Sequence, residues 1–192
     1  MARLELPTDK AMTPEQAEVC AEVVAGQRGK LPSPMIAWIR NPELGRRAQQ
    51  LGEVVRFQTT LEPRLTEIAI LVCARFWTSH QVWTSHKRHA LAAGLDEATI
   101  ASIAAGQAPA SPDERERLVF DLSGELLQRR RITDRLYHSA VAMLGERGVV
   151  ELVAIVGYYG LVSLTANAFE LGLPDAVAAE LDDPTFPQGA RR

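Results

Sequence analysis

Leu65-Thr66-Glu67-Ile68-Ala69-Ile70-Leu71-Val72-Cys73-Ala74-Arg75-Phe76 decides how the rest of the chain is read. Leu65, Ile68, Ala69, Leu71, Val72 and Phe76 recur at helical spacing, and Ile70 and Cys73 widen the stripe until almost no polar face is left. A helix that is apolar nearly all round is buried, so this one belongs at the centre of the fold. Thr60-Leu61-Glu62-Pro63 starts it, and the predicted helix covers about 62–77. A break near Thr78-Ser79 leads into a second helix over about 80–93, which Gly94 stops.

Toward the N-terminus the pattern stays helical. Thr13-Pro14-Glu15-Gln16 gives a cap, a first-turn proline and an acidic first turn, and the helix runs to about Gly26. Gly29-Lys30-Leu31-Pro32-Ser33-Pro34 is a loop, and Met35, Ile36, Trp38 and Ile39 form a short apolar turn. Asn41 then caps a helix opened by Pro42 and running to about Gln58. Toward the C-terminus, Asp96 caps a short helix to about Ala105. Ser111-Pro112-Asp113-Glu114 starts one reaching about Arg129, with Ser111 as its expected cap. Thr133 starts another to about Gly145, Glu146-Arg147-Gly148 reads as a connection, and Val149–Leu171 as a long apolar helix. A short helix over about 175–181 and a loose tail over 182–192 complete the reading. No hairpin, P-loop or dinucleotide glycine pattern is present. The expectation is a single all-helical domain over 1–181, with its core at about 35–172.

Composition narrows the function classes. The 192 residues are 46% hydrophobic and 23% charged, the balance of a soluble globular chain long enough to bury its own core. A net charge of −3, from 21 basic and 24 acidic residues, speaks against a general nucleic-acid binder. Arg129-Arg130-Arg131 invites a phosphate or nucleic-acid reading, but preceded by Glu125 and ending a helix it reads better as a complement to the helix C-terminus. Cys20 and Cys73 form neither a disulfide framework nor a paired-thiol motif, so a reducing, cytoplasmic setting is expected. The opening MARLELPTDK carries no apolar run of a secretory signal. Gly157, Tyr158, Tyr159, Gly160, Ser163, Thr165 and Asn167 interrupt the apolar stretch near the C-terminus, which therefore reads as a buried helix and not as a membrane span.

Chemistry concentrates around Glu67 and the run Thr78-Ser79-His80-Gln81-Val82-Trp83-Thr84-Ser85-His86-Lys87-Arg88-His89. At about 100° per residue, Ser79, Trp83, His86 and Ala90 share one helical face, while His80 points elsewhere. A buried carboxylate needs a partner. Helices joined by a short turn pack antiparallel, which sets Glu67 and His86 at similar height. The pair is then either a proton-transfer couple or a structural contact. In the first case Trp83 is expected as one wall of an apolar pocket, with Ser79 or His80 at its mouth. Glu151 opens a later apolar run much as Glu67 opens the first. That run carries Tyr159, a further pocket candidate, and Asn167, which either lines the pocket or satisfies a backbone group. His86, His89 and Glu67 are weighed as metal ligands, but several Glu residues with Glu-x-x-His motifs are missing, so no metal is expected. Cys73, among Leu71, Val72 and Ala74, reads as an inert thiol.

Leu65-Thr66-Glu67-Ile68-Ala69-Ile70-Leu71, Trp83-Thr84-Ser85-His86 and Ala90-Leu91-Ala92-Ala93-Gly94-Leu95 together resemble the carboxymuconolactone decarboxylase family, which includes the alkylhydroperoxidase D-like proteins. Val150-Glu151-Leu152-Val153, Gly157-Tyr158-Tyr159 and Asn167 are similar to the second half of its longer members. The resemblance implies an all-α, alkylhydroperoxidase D-like helical bundle, built of two related halves if the Glu67 and Glu151 segments are repeats. It also implies homo-oligomers, commonly trimers or hexamers. In the peroxidase branch a Cys-x-x-Cys pair precedes the His, with a Glu nineteen residues ahead of that His. Glu67 and His86 keep this spacing, but the cysteine positions fall on Ser79 and Val82. The chain thus resembles the cysteine-free, decarboxylase side of the family. That implies a small carboxylate or lactone substrate, no cofactor, His86 as general acid and Glu67 orienting it. Arg64, Arg75 and Lys87 are the cations nearest in sequence for an anionic substrate. The competing expectation is a non-catalytic or stress-related helical oligomer in which the Glu/His pair is structural.

Overall fold

The computed structural model describes residues 2–8, 11–173 and 177–182. Its regular elements are all α-helices: α1 (Pro14–Ala25), α2 (Met35–Trp38), α3 (Pro42–Phe57), α4 (Pro63–Phe76), α5 (His80–Ala92), α6 (Glu97–Ala104), α7 (Glu114–Arg129) and α8 (Asp134–Ala168). The starts follow local chemistry. Thr13 and Gln16 form a reciprocal capping box on α1, Asn41 Oδ1 accepts from Leu44 N at 3.1 Å on α3, and Asp96 Oδ1 accepts from Thr99 N at 2.7 Å on α6.

As its sequence requires, α4 is the hub. It packs against α5, α6, α7 and α8, and every residue from Leu65 to Ala74 is buried. Val119 and Leu122 of α7 and Leu152 and Ile155 of α8 close around it without measurable exposure. Removing one such side chain, as in Leu152→Ala, is worth about 2–5 kcal/mol.

Two backbone devices set the course of the chain around this hub. Thr78, at φ 46°, reverses the chain between α4 and α5. A β-branched residue in this region costs about 1–2 kcal/mol. The turn is held by Ser79 N donating to Ala74 O at 2.8 Å and by Asn167 Nδ2 donating to Trp77 O at 2.7 Å. The second device is Gly145, whose φ of 71° and ψ of 165° suit glycine alone and interrupt α8.

Several expected boundaries shift. Glu146-Arg147-Gly148 is helical, because Gly145 alone makes the bend, and the helix ends at Ala168 instead of Leu171. Asp113, not Ser111, caps α7: Asp113 Oδ1 accepts from Arg115 N at 2.8 Å. Ser111 instead donates to the buried Glu116 at 2.6 Å. Residues 177–181 are not helical, and 175–176 lie outside the described residues. The expected tail over 182–192 also lies outside them, apart from Asp182. The Glu151 segment does not repeat the Glu67 layout: the chain breaks at Thr78 after α4 but runs on as helix to Ala168 in α8. Among the described residues, α8 is the one helix long and apolar enough to cross a membrane, and 56% of its most apolar window is buried inside the protein.

Candidate active site

Glu67 lies in the second turn of α4 and His86 in the middle of α5, and the fixed turn at Thr78 brings them to one height. His86 Nδ1 and Glu67 Oε2 are 2.7 Å apart, and both residues are buried, at 5% and 6% exposure. When Glu67 is ionised its carboxylate accepts from Nδ1–H. This fixes the imidazole tautomer and leaves Nε2 as the ring nitrogen available for chemistry. Tyr159 of α8 meets the His86 ring edge-on, 4.8 Å between centroids, and Tyr158 meets Tyr159 at 5.4 Å.

His86, Tyr158 and Tyr159 form the floor of a cavity of about 760 Å³, within the usual range for small-molecule sites. Its walls are Val82 and His89 of α5, Arg56 and Phe57 from the end of α3, and Arg28, Lys30, Pro32 and Pro34 from the segment between α1 and α2. Tyr158 reaches its place because Gly52 has no side chain: a Cβ there would stand 2.2 Å from the tyrosine hydroxyl oxygen.

The electrostatics follow from burial and from the arginines. Burial pushes the His86 pKa below its ordinary value, and Arg56 and Arg28 push the same way, while Glu67 pulls it back up. His89 is lowered to about 4, first by burial and then by Arg56. Burial raises the Tyr159 and Tyr158 hydroxyls. His86 is therefore neutral near pH 7, with a lone pair at Nε2 and an acidic partner behind it. Such a ring takes up a proton and gives it back. Among the described residues no group of three His, Cys, Asp or Glu side chains is placed to hold a metal ion.

The residues singled out from sequence divide. Glu67, His86 and Tyr159 come together as one constellation. Trp83 and Ser79 are buried in the core and do not line the cavity, and His80 does not line it either. The helical face that holds Ser79, Trp83 and Ala90 packs into the core. The cavity takes the next face, with Val82, His86 and His89 at i, i+4 and i+7. Asn167 serves the backbone of the Thr78 turn, and Glu151 caps the approach to α4, accepting from Thr60 N at 2.7 Å and from Thr60 Oγ1 at 2.6 Å. The three cations chosen by sequence proximity are used elsewhere. Arg64 pairs with Glu62, Asp113 and Glu116, Arg75 donates to Ala104 O at 2.7 Å, and Lys87 pairs with Glu180. Arg28 and Arg56 take their place at the cavity. The one local signal for them was Arg28-Gly29-Lys30, two cations in a proline- and glycine-rich loop with no acidic neighbour.

Residues 42–123 match the sequence model of the carboxymuconolactone decarboxylase family. No curated protein matches the chain. The matched stretch runs from α3 into α7 and holds Glu67, His86 and Arg56, whereas Arg28, Tyr158 and Tyr159 lie outside it.

Proposed function

Because residues 42–123 match the carboxymuconolactone decarboxylase family, we propose that the chain is an enzyme acting on a small carboxylate or lactone acid, with Glu67 and His86 as its general acid–base pair. The reaction is decarboxylation or a related proton transfer. The observation that carries this reading is the 2.7 Å contact between Glu67 and His86, with His86 in the floor of the cavity. In decarboxylation, the electron pair left by departing carbon dioxide spreads over the unsaturated lactone, and carbon must then be protonated. His86 takes a solvent proton at Nε2, Glu67 stabilises the imidazolium, and Nε2 passes the proton to carbon. In a proton transfer without loss of carbon dioxide, the same nitrogen removes a proton from one carbon and returns it to another.

Thiol-dependent peroxide reduction is not the proposed reaction. Ser79 and Val82 stand where a thiol pair would be needed. Cys73 is buried, its thiol pushed up to about 12 by desolvation, with Sγ 3.6 Å from Val156 O. We further propose a cytoplasmic homo-oligomer, a trimer or hexamer. Support comes from the apolar residues left exposed along one side of α8, namely Val150, Val153, Leu161 and Leu164. Light scattering that finds only monomer at micromolar concentration would count against the oligomer.

The catalytic reading is tested with a panel of unsaturated lactone acids, carboxymuconolactone included, by following carbon dioxide release and deuterium uptake from heavy water. His86→Gln is expected to lower turnover by about 10²–10⁴-fold while the protein stays folded. Wild-type rates in that variant, or no turnover of any panel member by the wild type, would leave the Glu/His pair a structural role.

A further inference from the structure

We propose that Arg28 and Arg56 form a carboxylate-anchoring subsite in the cavity, which makes the segment between α1 and α2 a specificity-determining element outside the family-matched stretch. The inference rests on the cavity being the substrate site, and it deepens that reading by naming what holds the substrate.

Three observations support it. The first is an imbalance of charge: Arg28, Lys30, Arg56 and Arg88 all line the cavity, and among the described residues no Asp or Glu lines it. The second is the contrast with arginines that are already engaged: Arg46, Arg64 and Arg115 pair with carboxylates, and Arg40 and Arg75 donate to backbone carbonyls. Among the described residues, Arg28 and Arg56 have no such ion pair, although both are half-buried. Arg28 Nε is fully buried and has no hydrogen-bond partner. A buried guanidinium donor left open is costly, and because the Arg28 side chain also lines the cavity, an incoming carboxylate would meet the rest of the planar fork that arginine presents.

The third observation is the apolar surface beside the cations. Arg56 lies over the Phe57 ring at 5.3 Å, and Pro32, Tyr158 and Val162 continue that wall. The site therefore suits an organic acid with an unsaturated or ring body better than a compact inorganic anion. The carboxylate would sit between the arginines, and the body would lie along the wall toward His86 Nε2. Both arginines also act on His86 as repelling charges. A bound carboxylate offsets them, so binding makes the ring easier to protonate when the substrate needs a proton.

The test measures binding apart from turnover. The full chain is titrated calorimetrically with benzoate, phenylacetate and succinate, and separately with inorganic phosphate. The imidazole nitrogens of His86 are followed by NMR. Saturable binding of at least one carboxylate is expected, tighter than phosphate, with a shift of the His86 ring signals. Arg28→Gln and Arg56→Gln should each weaken the best carboxylate by about 10- to 100-fold. Arg28→Lys and Arg56→Lys keep the charge and give a second reading if a glutamine variant misfolds. They should weaken binding by less than the glutamine variants do. Arg47→Gln, in an exposed pair with Glu43, should bind as wild type. His86→Gln should bind within about threefold of wild type, so loss of turnover there with binding intact separates the subsite from the acid–base pair. Wild-type affinity in Arg28→Gln and Arg56→Gln would overturn the subsite, as would no saturable carboxylate binding below about 10 mM. Phosphate binding as tightly as the carboxylates would overturn its carboxylate character.

Discussion

Glu67→Gln keeps the shape of the side chain and removes its charge, which isolates what the carboxylate does for His86. Each group is more than nine-tenths buried and the contact is 2.7 Å. A hydrogen bond involving an ionised group contributes about 1.5–3 kcal/mol. The glutamine can still accept one bond, so the loss should fall near the lower half of that range. In a domain of this size, 1.5 kcal/mol lowers Tm by about 3–6 °C. The second consequence has a definite sign. Glu67 raises the His86 pKa, against burial, Arg56 and Arg28. Without its charge the pKa must fall further below the ordinary histidine value. Calorimetry measures the first effect, and a pH titration of the His86 ring nitrogens by NMR measures the second. A variant whose His86 pKa is unchanged or raised would refute the coupling, whatever happens to activity. An unchanged Tm would show that the buried bond contributes nothing net to the fold.

Stability should depend on pH through the same histidines. Both have folded pKa values below the unfolded one, so their contribution is fully present above about pH 6.5. It is lost as pH falls, down to about 4 for His89, because the unfolded chain binds the protons first. The slope from buried His86 is at most about 1.4 kcal/mol per pH unit, and denaturant melts at pH 7.5, 6 and 5 measure it. Gly52→Ala should push Tyr158 off α3 and out of the cavity floor, at a cost of about 1–3 kcal/mol. A Tm equal to wild type would show that the tyrosine simply moves aside. Alkylating reagents should leave Cys73 unmodified in the folded protein, given its thiol at about 12. No dithiol-dependent consumption of hydroperoxide should occur. Peroxide turnover that alkylation abolishes would contradict this.

Much of the helix layout was legible locally because caps, prolines and apolar period act over a few residues. Thr13, Asn41 and Asp96 begin helices for reasons written within three positions of each. The burial of α4 follows from its having no polar face. The pairing of Glu67 with His86 was also readable, since consecutive helices across a short turn constrain each other's height. Even the local rules left room for error at Ser111 and Gly145, where one residue decides between two nearby boundaries.

The cavity was not legible. Which face of α5 meets the core and which meets the cavity depends on how α4, α6 and α8 pack against it, and Trp83 and His86 lie too close in phase for the sequence to separate them. Arg28 and Arg56 reach the site across long stretches of chain, while the nearer Arg64, Arg75 and Lys87 are taken by Asp113, the Ala104 carbonyl and Glu180. A cation's partner is chosen by distance in space. The sequence by itself therefore determined most of the helices, the buried hub and the contact between Glu67 and His86. Only tertiary packing decided which charges surround that pair, because those charges act through contacts no local pattern encodes.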